Sequence, residues 1–319
     1  MDLIRELQGA KTVGIAGHVN PDGDAVGSAA ALRLYIMKRM PGTRVDMFSE
    51  PIYGALKRLI PSSDEINTTF ETDVESYDVF IAVDAGAGRL GGAEALFERA
   101  GKRLNIDHHV SSGSGSGDVN LVRAEASSTC ELVYTLLEEE YIDEPIARAL
   151  YIGIVTDTGV FKYSNTGTGT MRIAGELLKY GFDHTKLINE VFFGKTYVQH
   201  QILGRALLES MLIREGTCII SVLDRKTLDF YKATSSDTDG IASQLMLTEG
   251  VQCAIFMYET SPLTYRVSLR SNGEVNVAKI AAFYGGGGHE RAAGCTINAP
   301  WHDIVNNISD SIEMQLYGR

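Results

Sequence analysis

Short apolar runs alternate with amphipathic stretches along the first half of the chain. Each run is as long as a typical strand and ends in polar residues: TVGIAG, TRVDMFS, YDVFIAVDAG and KRLNIDHH. The stretches between them have helical spacing, as in SAAALRLYIMKR and GGAEALFERAG. This alternation of strands and helices predicts a parallel sheet with helices on both faces.

The pattern turns helical after residue 126 and β-rich after about residue 211. The helical stretches are SSTCELVYTLLEEE, which opens with a capping signal, EPIARALYIGIVTD and TGTMRIAGELLKYG. The later strands are expected in MLIREGTCIISVL, VQCAIFMYE and TYRVSLR, followed by two helical stretches. We therefore predict an α/β fold with an N-terminal domain over 1–183, a helical connector over 184–210 and a smaller α/β domain over 211–319.

The length and the apolar content are those of a soluble two-domain chain. With 319 residues the chain is long enough for two hydrophobic cores. No apolar run approaches the ~20 residues that span a bilayer. The N-terminal stretch MDLIRELQGAK lacks the apolar core of a signal peptide. A cytoplasmic location without a membrane partner is expected.

Charge and cysteine spacing argue against a protein that coats long nucleic acid, a structural zinc site and a disulfide framework. The net charge of −12 argues against a protein that coats long nucleic acid, because that function needs a broad basic surface. A small phosphorylated substrate remains compatible if metals or a few arginines neutralise it locally. The four cysteines form no Cys-x-x-Cys pair, so neither a structural zinc nor a disulfide framework is expected.

Polar residues that bind metals follow the predicted strands at the points where the strands end. They are His18, Asp22 and Asp24 after the first run, Asp84 after the third, and Asp107, His108 and His109 after the fourth. Asp157 ends a later helical segment. In open parallel sheets ligands bind outside the carboxyl ends of the strands, so these loops should face one crevice.

The residue types predict a pair of divalent cations. Four carboxylates and two imidazoles are too many ligands, and too rich in oxygen, for one tetrahedral zinc. They suit two octahedral ions such as Mn²⁺ that share a carboxylate. Two ions ~3.5–4 Å apart can activate water and clamp a phosphoryl group for in-line attack. The ligands would be His18, Asp22, Asp24, Asp84, His108 and Asp157.

Each of these motifs also has a purely structural interpretation. PDGD alone is typical of a surface turn, and Asp84 could cap a turn after its strand. Their placement toward one edge of the same predicted sheet favours the metal site. Gly23 and Gly27 would let the backbone turn sharply beside it. A helix beginning near Ser28 would point its positive end at an anion.

The motifs resemble those of a known family. GHVNPDGDAVGS, VDAG, DHH and YIGIVTDTGVFKYSNT are similar to the four motifs of the DHH phosphoesterase superfamily. GGGGHERAAG at 285–294 resembles the signature of the DHH-associated C-terminal domain. The resemblance covers most of the chain. Length and layout are closest to the bacterial branch of bifunctional oligoribonucleases (nanoRNases) and pAp phosphatases, which includes cyclic-dinucleotide and linear-dinucleotide phosphodiesterases.

The resemblance implies a role for each candidate. One Mn²⁺ would be held by His18, Asp22 and Asp84, and the other by Asp24, Asp84, His108 and Asp157, with Mg²⁺ and Co²⁺ as alternative ions. His109 would lie beside the scissile phosphate as a catalytic group, either stabilising charge or protonating the leaving oxygen. Asp107 would orient a neighbouring histidine.

The C-terminal domain would supply the substrate contacts, with the active site in the cleft between the two domains. Backbone N–H groups of consecutive glycines can cradle a phosphate, and arginine binds phosphate through forked donors. The candidates are Arg270, Ser271, Gly286, Gly287, Gly288, His289 and Arg291. The remaining histidines, His184, His200 and His302, match no motif.

The function implied is a Mn²⁺-dependent phosphohydrolase of short nucleotides. Its substrates would be short RNA and linear dinucleotides of the pApA or pGpG type, cleaved to nucleoside 5′-monophosphates, and pAp, cleaved to AMP. Two alternatives remain: a stand-alone cyclic-di-AMP phosphodiesterase, and a non-catalytic nucleotide-binding module that should have lost a ligand. A homodimer is one option for the assembly. Two departures from the family pattern bear on substrate preference, VSSGSGSGD after His109 and Ala85–Gly86–Ala87 after Asp84.

Overall fold

The chain divides into two compact units. The computed structural model describes residues 1–86, 88–109 and 113–318. One unit is Met1–Gly194 and the other Lys195–Arg319. The stretch predicted as a connector, 184–210, is helical and contributes to both units. The predicted functional assignment of the two domains stays a prediction.

The first unit is built on a five-stranded parallel sheet with the order β2-β1-β3-β4-β5. Its strands are β1 (Thr12–Ala16), β2 (Arg44–Phe48), β3 (Val79–Val83), β4 (Arg103–Asp107) and β5 (Val119–Val122). The predicted parallel sheet is confirmed. The fifth strand was not anticipated, because this short edge strand has an exposed Asn120 and no long apolar run.

Helices cover both faces of this sheet. They are α1 (Leu3–Glu6), α2 (Gly23–Arg39), α3 (Gly54–Leu59), α4 (Glu94–Glu98), α5 (Thr129–Leu136), α6 (Glu144–Asp157), α7 (Thr168–Leu178) and α8 (His184–Ile188), and a π-helical turn follows at Asn189–Phe193. On one face β1 residues such as Ile15 pack with α2, α5 and α6. On the other, Phe80 packs with Phe48 and with Phe97 of α4. Alternate residues of each buried strand thus belong to different cores.

Helix α2 begins earlier than its apolar pattern predicts. It starts at Gly23 rather than near Ser28, because the Asp22 carboxylate accepts the backbone N–H groups of Asp24 (3.0 Å) and Ala25 (3.1 Å). Gly23 is therefore helical, and the expected sharp turn there is wrong.

Gly27 is also helical, and it permits close packing of α2 on α6. A Cβ atom at Gly27 would lie 2.6 Å from the carbonyl oxygen of Ala149 on α6. The two helices that carry Asp24 and Asp157 approach each other at this point. The glycine thus serves a helix contact rather than the turn that the sequence suggested.

Replacing Gly27 by alanine should therefore destabilise the protein by about 1–3 kcal/mol, since the added methyl group meets backbone that cannot rotate away. Gly175 on α7 offers a matched control, because a Cβ there has no neighbour within 4 Å. Gly175→Ala should leave stability unchanged or raise it by up to ~1 kcal/mol. Urea unfolding measures both variants. Equal midpoints for Gly27→Ala and wild type would contradict this account of the helix contact.

The second unit contains a six-stranded mixed sheet with the order β10-β11-β9-β8-β7-β6. Among the strand pairs of this sheet, within the described residues, only β7 and β8 are parallel. The strands are β6 (Met211–Ile213), β7 (Cys218–Leu223), β8 (Cys253–Ser261), β9 (Thr264–Ser271), β10 (Gly287–His289) and β11 (Ala292–Asn298). The predicted second α/β domain is confirmed.

Helices pack on both faces of this sheet as well. They are α9 (Tyr197–Leu208), α10 (Arg225–Tyr231), α11 (Ile241–Leu245), α12 (Val277–Phe283) and α13 (Trp301–Tyr317). Helices α12 and α13 cover one face, where Val267 and Leu269 of β9 are buried. Helices α9, α10 and α11 pack on the other face, over Ile219 of β7 and Ala254 of β8. In the part of the chain that the structure describes, no helix has the length and apolar character needed to cross a bilayer.

Candidate metal centre

The predicted ligands of the first unit meet at the carboxyl edge of its sheet. His18, Asp84 and His108 follow β1, β3 and β4, which are neighbours in the sheet. Asp24 lies in the first turn of α2, and Asp157 is the last residue of α6. Parallel strands and the α2–α6 contact thus bring together side chains from distant parts of the sequence.

The first group of candidate ligands consists of His18, Asp22 and Asp84. Nε2 of His18 lies 3.3 Å from Oδ2 of Asp84 and 3.8 Å from Oδ1 of Asp22. Nδ1 of the same ring lies 2.8 Å from the carbonyl oxygen of Val19. A carbonyl can only accept, so Nδ1 carries a proton, and Nε2 is the nitrogen that faces the carboxylates and is placed to bind a metal.

The second group consists of Asp24, His108 and Asp157, and it also reaches Asp84. Nε2 of His108 lies 3.4 Å from Oδ1 of Asp84, 3.5 Å from Oδ2 of Asp157 and 3.8 Å from Oδ2 of Asp24. This nitrogen is buried and has no hydrogen-bond partner within the described residues. A buried nitrogen without a partner, surrounded by carboxylate oxygens, fits a metal ligand.

Asp84 connects the two groups, because each of its carboxylate oxygens faces a different histidine. Its backbone has a left-handed φ of 56°, which is uncommon for a residue other than glycine. Its N–H donates to the carbonyl of Ile106 (2.9 Å), and its Oδ1 accepts the hydroxyl of Thr129 (3.0 Å). An aspartate held in this conformation, with one oxygen toward each group, fits a shared ligand.

Burial and mutual repulsion perturb the acids of the site. Burial, together with the charges of Asp84 and Asp157, raises the pKa of Asp24 well above its usual range. Burial also raises the pKa of Asp157 to about 6, although His108 opposes this effect. Burial alone would raise the pKa of Asp84 too, but the neighbouring imidazoles of His108 and His18 hold it below its usual range.

The histidines show the complementary effect. Burial lowers the pKa of His18, but the adjacent carboxylate of Asp84 and other nearby charges outweigh it and raise the value to about 9. The same balance raises the pKa of His108 to about 9. Within the described ranges, no lysine or arginine lies within 4 Å of the carboxylates of Asp22, Asp24, Asp84 or Asp157. A divalent cation would supply the positive charge that lysine and arginine do not supply here.

His109 is oriented mainly by the carboxylate of Asp107. The buried carboxylate of Asp107 lies 2.8 Å from Nδ1 of His109 and also accepts the backbone N–H of His109 at 3.0 Å. Nδ1 additionally lies 3.4 Å from Oδ1 of Asp84. The imidazole of His109 is about one-third exposed, in contrast to that of His108. This arrangement is that of an oriented, solvent-facing imidazole.

The sequence did not reveal that the N-terminus of α5 holds two of the carboxylates. The backbone N–H groups of Thr129 and Cys130 donate to Oδ2 and Oδ1 of Asp24 at 2.6 and 2.8 Å. The hydroxyl of Thr129 donates to Asp84. From the sequence, this segment was identified only as a helix cap. Its run of polar residues was the available signal of a further role, and in the structure residues 127–129 are fully buried.

Asn105 on β4 is a second residue that the sequence analysis missed. Its buried amide donates to the carbonyl oxygens of Ala82 (3.3 Å) and Ala85 (2.8 Å) and accepts the N–H of Ser116 (3.1 Å). It therefore joins the segments that follow β3 and β4. These two segments contain the departures from the family pattern, of which Ala87 and 110–112 lie outside the described residues.

Removal of the Thr129 hydroxyl should weaken metal binding. Thr129→Val keeps the shape but loses the donor to Asp84, and we expect Mn²⁺ affinity to fall by about 10–100-fold. Thr129→Ser keeps the donor and should bind nearly as tightly as wild type. Isothermal titration with Mn²⁺ measures the affinities, and thermal unfolding without metal checks the fold. Equal affinities for Thr129→Val and Thr129→Ser would show that the hydroxyl does not position Asp84.

The predicted substrate residues of the second unit lie together at one end of β9. Arg270 pairs in register with Ala292, and the N–H of Ser271 donates to the carbonyl of Arg291. The hydroxyl of Ser271 is buried and donates to the carbonyl of Val275 (2.6 Å). His289 is exposed at the end of β10. Contacts of these residues with a substrate stay predictions.

The glycine run belongs to the sheet edge rather than to an open loop. Gly287, Gly288 and His289 form β10 and pair with β11. A Cβ at Gly286 would lie 2.2 Å from the carbonyl oxygen of Gly294, and a Cβ at Gly288 would lie 2.4 Å from that of Ala292. Close approach of two backbones therefore explains these glycines.

Two domain families match the chain. Residues 12–154 match the DHH family, N-terminal domain, and residues 216–316 match the DHHA1 domain. The first match contains five of the six predicted metal ligands, all but Asp157, together with His109. The second contains the predicted substrate residues.

Two curated bacterial proteins are similar over almost the whole chain. The bifunctional oligoribonuclease and PAP phosphatase NrnA of Bacillus subtilis is 28% identical over 317 residues, which cover 97% of this chain and 96% of the relative. The probable bifunctional oligoribonuclease and PAP phosphatase NrnA of Streptococcus mutans is 29% identical over 296 residues, covering 92% and 91%. Neither similarity is confined to one of the two units.

A solved structure shares the fold. An exopolyphosphatase-related protein from Bacteroides fragilis superposes with a TM-score of 0.87 at 23% sequence identity. The alignment covers 98% of this chain and 95% of that protein. At this level of identity the likeness supports the fold alone.

Proposed function

Because the chain belongs to the DHH phosphoesterase family, combining a DHH domain with a DHHA1 domain, we propose that it hydrolyses short oligoribonucleotides and linear dinucleotides. The products are nucleoside 5′-monophosphates, and pAp is a further substrate that yields AMP. Family membership confirms the resemblance that the motifs indicated. The observation that carries the proposal is the near full-length similarity to relatives named oligoribonuclease and PAP phosphatase.

The cofactor of the proposed reaction is a pair of Mn²⁺ ions, with Mg²⁺ or Co²⁺ as alternatives. One ion is held by His18, Asp22 and Asp84, and the other by Asp24, Asp84, His108 and Asp157. The buried Nε2 of His108 and the cluster of carboxylates around it support this assignment. When bound, the ions supply Lewis-acid activation of water and neutralise charge on the phosphoryl group.

The chain's own groups orient the substrate and carry a proton. Asp107 holds Nδ1 of His109, so Nε2 is the nitrogen that exchanges a proton with the leaving oxygen. Burial of Asp24 and Asp84 keeps bulk water away from the centre of the site. Arg270 and Arg291 contribute positive charge to the substrate phosphates, and His289 contributes a hydrogen-bond donor. Such local neutralisation suits a small substrate and a chain with net charge −12.

A substrate panel tests the function. The purified protein with Mn²⁺ is offered pApA, pAp, a five-residue RNA, cyclic-di-AMP and pyrophosphate, and the products are separated by chromatography. Mononucleotides from pApA and the RNA, AMP from pAp, and loss of all turnover in EDTA are expected. Faster hydrolysis of cyclic-di-AMP than of pApA would favour the alternative phosphodiesterase. Turnover of pyrophosphate alone, or of no substrate, would refute the proposal. The homodimer and the cytoplasmic location stay predictions.

A further inference from the structure

The second unit has a pocket of about 600 Å³ on the sheet face opposite α12 and α13. Along β9, Val267 and Leu269 enter the core beneath those helices, so the alternate residues Arg266, Ser268 and Arg270 point to the opposite face. These three residues line the pocket. Thr296 of β11, Tyr258 of β8, Ser235, Ser236 and residues 238–240 also line the pocket.

The charge of this pocket favours an anion. Arg266 is exposed and donates to the hydroxyl of Thr296 at 3.4 Å. Among the ion pairs of the described residues, none places a carboxylate within 4 Å of the Arg266 guanidinium. Asp239 is the one acid among the lining residues, and the positive charge of Lys195 acts on its carboxylate. The pocket therefore offers guanidinium and hydroxyl donors to a ligand that accepts hydrogen bonds.

An aromatic ring lies beside Arg266. Tyr258 is its register partner on β8, so the two side chains are neighbours on the same face. The ring of Phe256 lies beneath the pocket, 6.1 Å from that of Tyr258. An aromatic ring next to an arginine is the combination that binds single-stranded nucleic acid, because the base stacks on the ring while the cation holds the phosphate.

The two arginines are far enough apart to contact different phosphates. Arg266 and Arg270 are separated by four residues of an extended strand, which at ~3.3 Å per residue places their Cα atoms ~13 Å apart. The phosphates of one stacked strand follow each other every ~3.4 Å along its axis. A chain of several nucleotides can therefore bring a separate phosphate to each arginine.

We propose that this pocket binds the backbone of a short single-stranded oligoribonucleotide, and that Arg266 makes substrate affinity depend on the number of nucleotides. The inference rests on the proposed function and extends it to a specificity-determining residue. Arg266 belongs to none of the motifs from which the substrate contacts were predicted. Its expected partner is a phosphate other than the one that is hydrolysed.

Binding without turnover tests this role. Fluorescence anisotropy of a labelled five-residue RNA in EDTA compares wild type with Arg266→Gln, Arg266→Lys and Arg225→Gln. Arg225 is a matched control, since it lies in the same unit and pairs with Asp229 outside the pocket. Arg266→Gln should weaken binding by about tenfold, because one charge-assisted contact is lost. It should also reduce the slope of log K against log salt by about 0.7. Arg266→Lys should keep the slope.

Turnover separates this proposal from the function on which it rests. With Mn²⁺, Arg266→Gln should lower kcat/KM for the five-residue RNA by about tenfold and for pAp by less than about twofold, since pAp lacks the additional phosphodiesters. Equal losses on both substrates, or unchanged RNA binding in EDTA, would overturn the role of Arg266. If wild type bound the RNA through Arg266 but hydrolysed no member of the panel, the proposed function alone would fail.

Discussion

The Asp84→Asn variant should lose at least about 10³-fold of the wild-type turnover, since metal stabilisation of a phosphoryl transition state contributes several kcal/mol. Asp84 is the residue whose two oxygens face His18 and His108. Asparagine keeps its size and tolerates the left-handed φ of 56°, so the fold should survive. An amide offers only one ligand oxygen and no charge, and the shared ligand is lost.

Metal content should change together with activity in this variant. Titration with Mn²⁺ should show fewer bound ions than in wild type, or much weaker binding, whereas thermal unfolding of the metal-free proteins should be similar. Asp64→Asn provides the control, because Asp64 is an exposed aspartate of the same unit. A fully active Asp84→Asn, or one with unchanged metal content, would contradict the shared-ligand assignment.

The His109→Gln variant should lose activity while retaining its metals. A positioned general acid typically contributes about 10²–10⁴-fold, so kcat should fall by this factor with little change in KM. Nδ1 of His109 is engaged by Asp107, which leaves Nε2 for the substrate. Asp107→Asn should also lower kcat, because an amide at this position no longer favours the tautomer protonated at Nδ1.

The metal content of His109→Gln decides between two roles for this residue. Nδ1 of His109 lies 3.4 Å from Asp84, so His109 could instead complete a ligand group with Asp84 and His108. Unchanged Mn²⁺ stoichiometry with reduced kcat supports the proton-transfer role. Loss of an ion would show that His109 is a ligand, and the proton donor would have to be sought elsewhere.

The fold followed from the sequence wherever a strand or helix has a strong pattern of its own. Four of the five strands of the first sheet are apolar runs, and their alternation with helices predicted that the strands pair in parallel. Strand β5 was missed, because Asn120 interrupts a short and partly exposed edge. The start of α2 was misplaced, because Pro21-Asp22-Gly23 has the composition of a turn, whereas Asp22 in fact caps a helix.

The glycine run of the second unit is another element whose structure could not be predicted from composition. GGGGH has the composition of a loop, and composition cannot indicate that β11 approaches it closely. In the structure Gly287–His289 pairs with β11, and the carbonyl groups of Gly294 and Ala292 leave no room for a Cβ at Gly286 or Gly288. Backbone contacts between segments are a property of the folded sheet.

The sequence by itself determined the chemical types at the site, because histidines and aspartates directly follow strands whose ends must meet at one edge. Only the tertiary structure decided how they are held. The N-terminus of α5 binds Asp24, a residue 105 positions earlier in the chain, and its Thr129 hydroxyl orients Asp84. These contacts depend on how closely α2, α5 and α6 pack, and periodicity along a single segment carries no information about the distance to another segment.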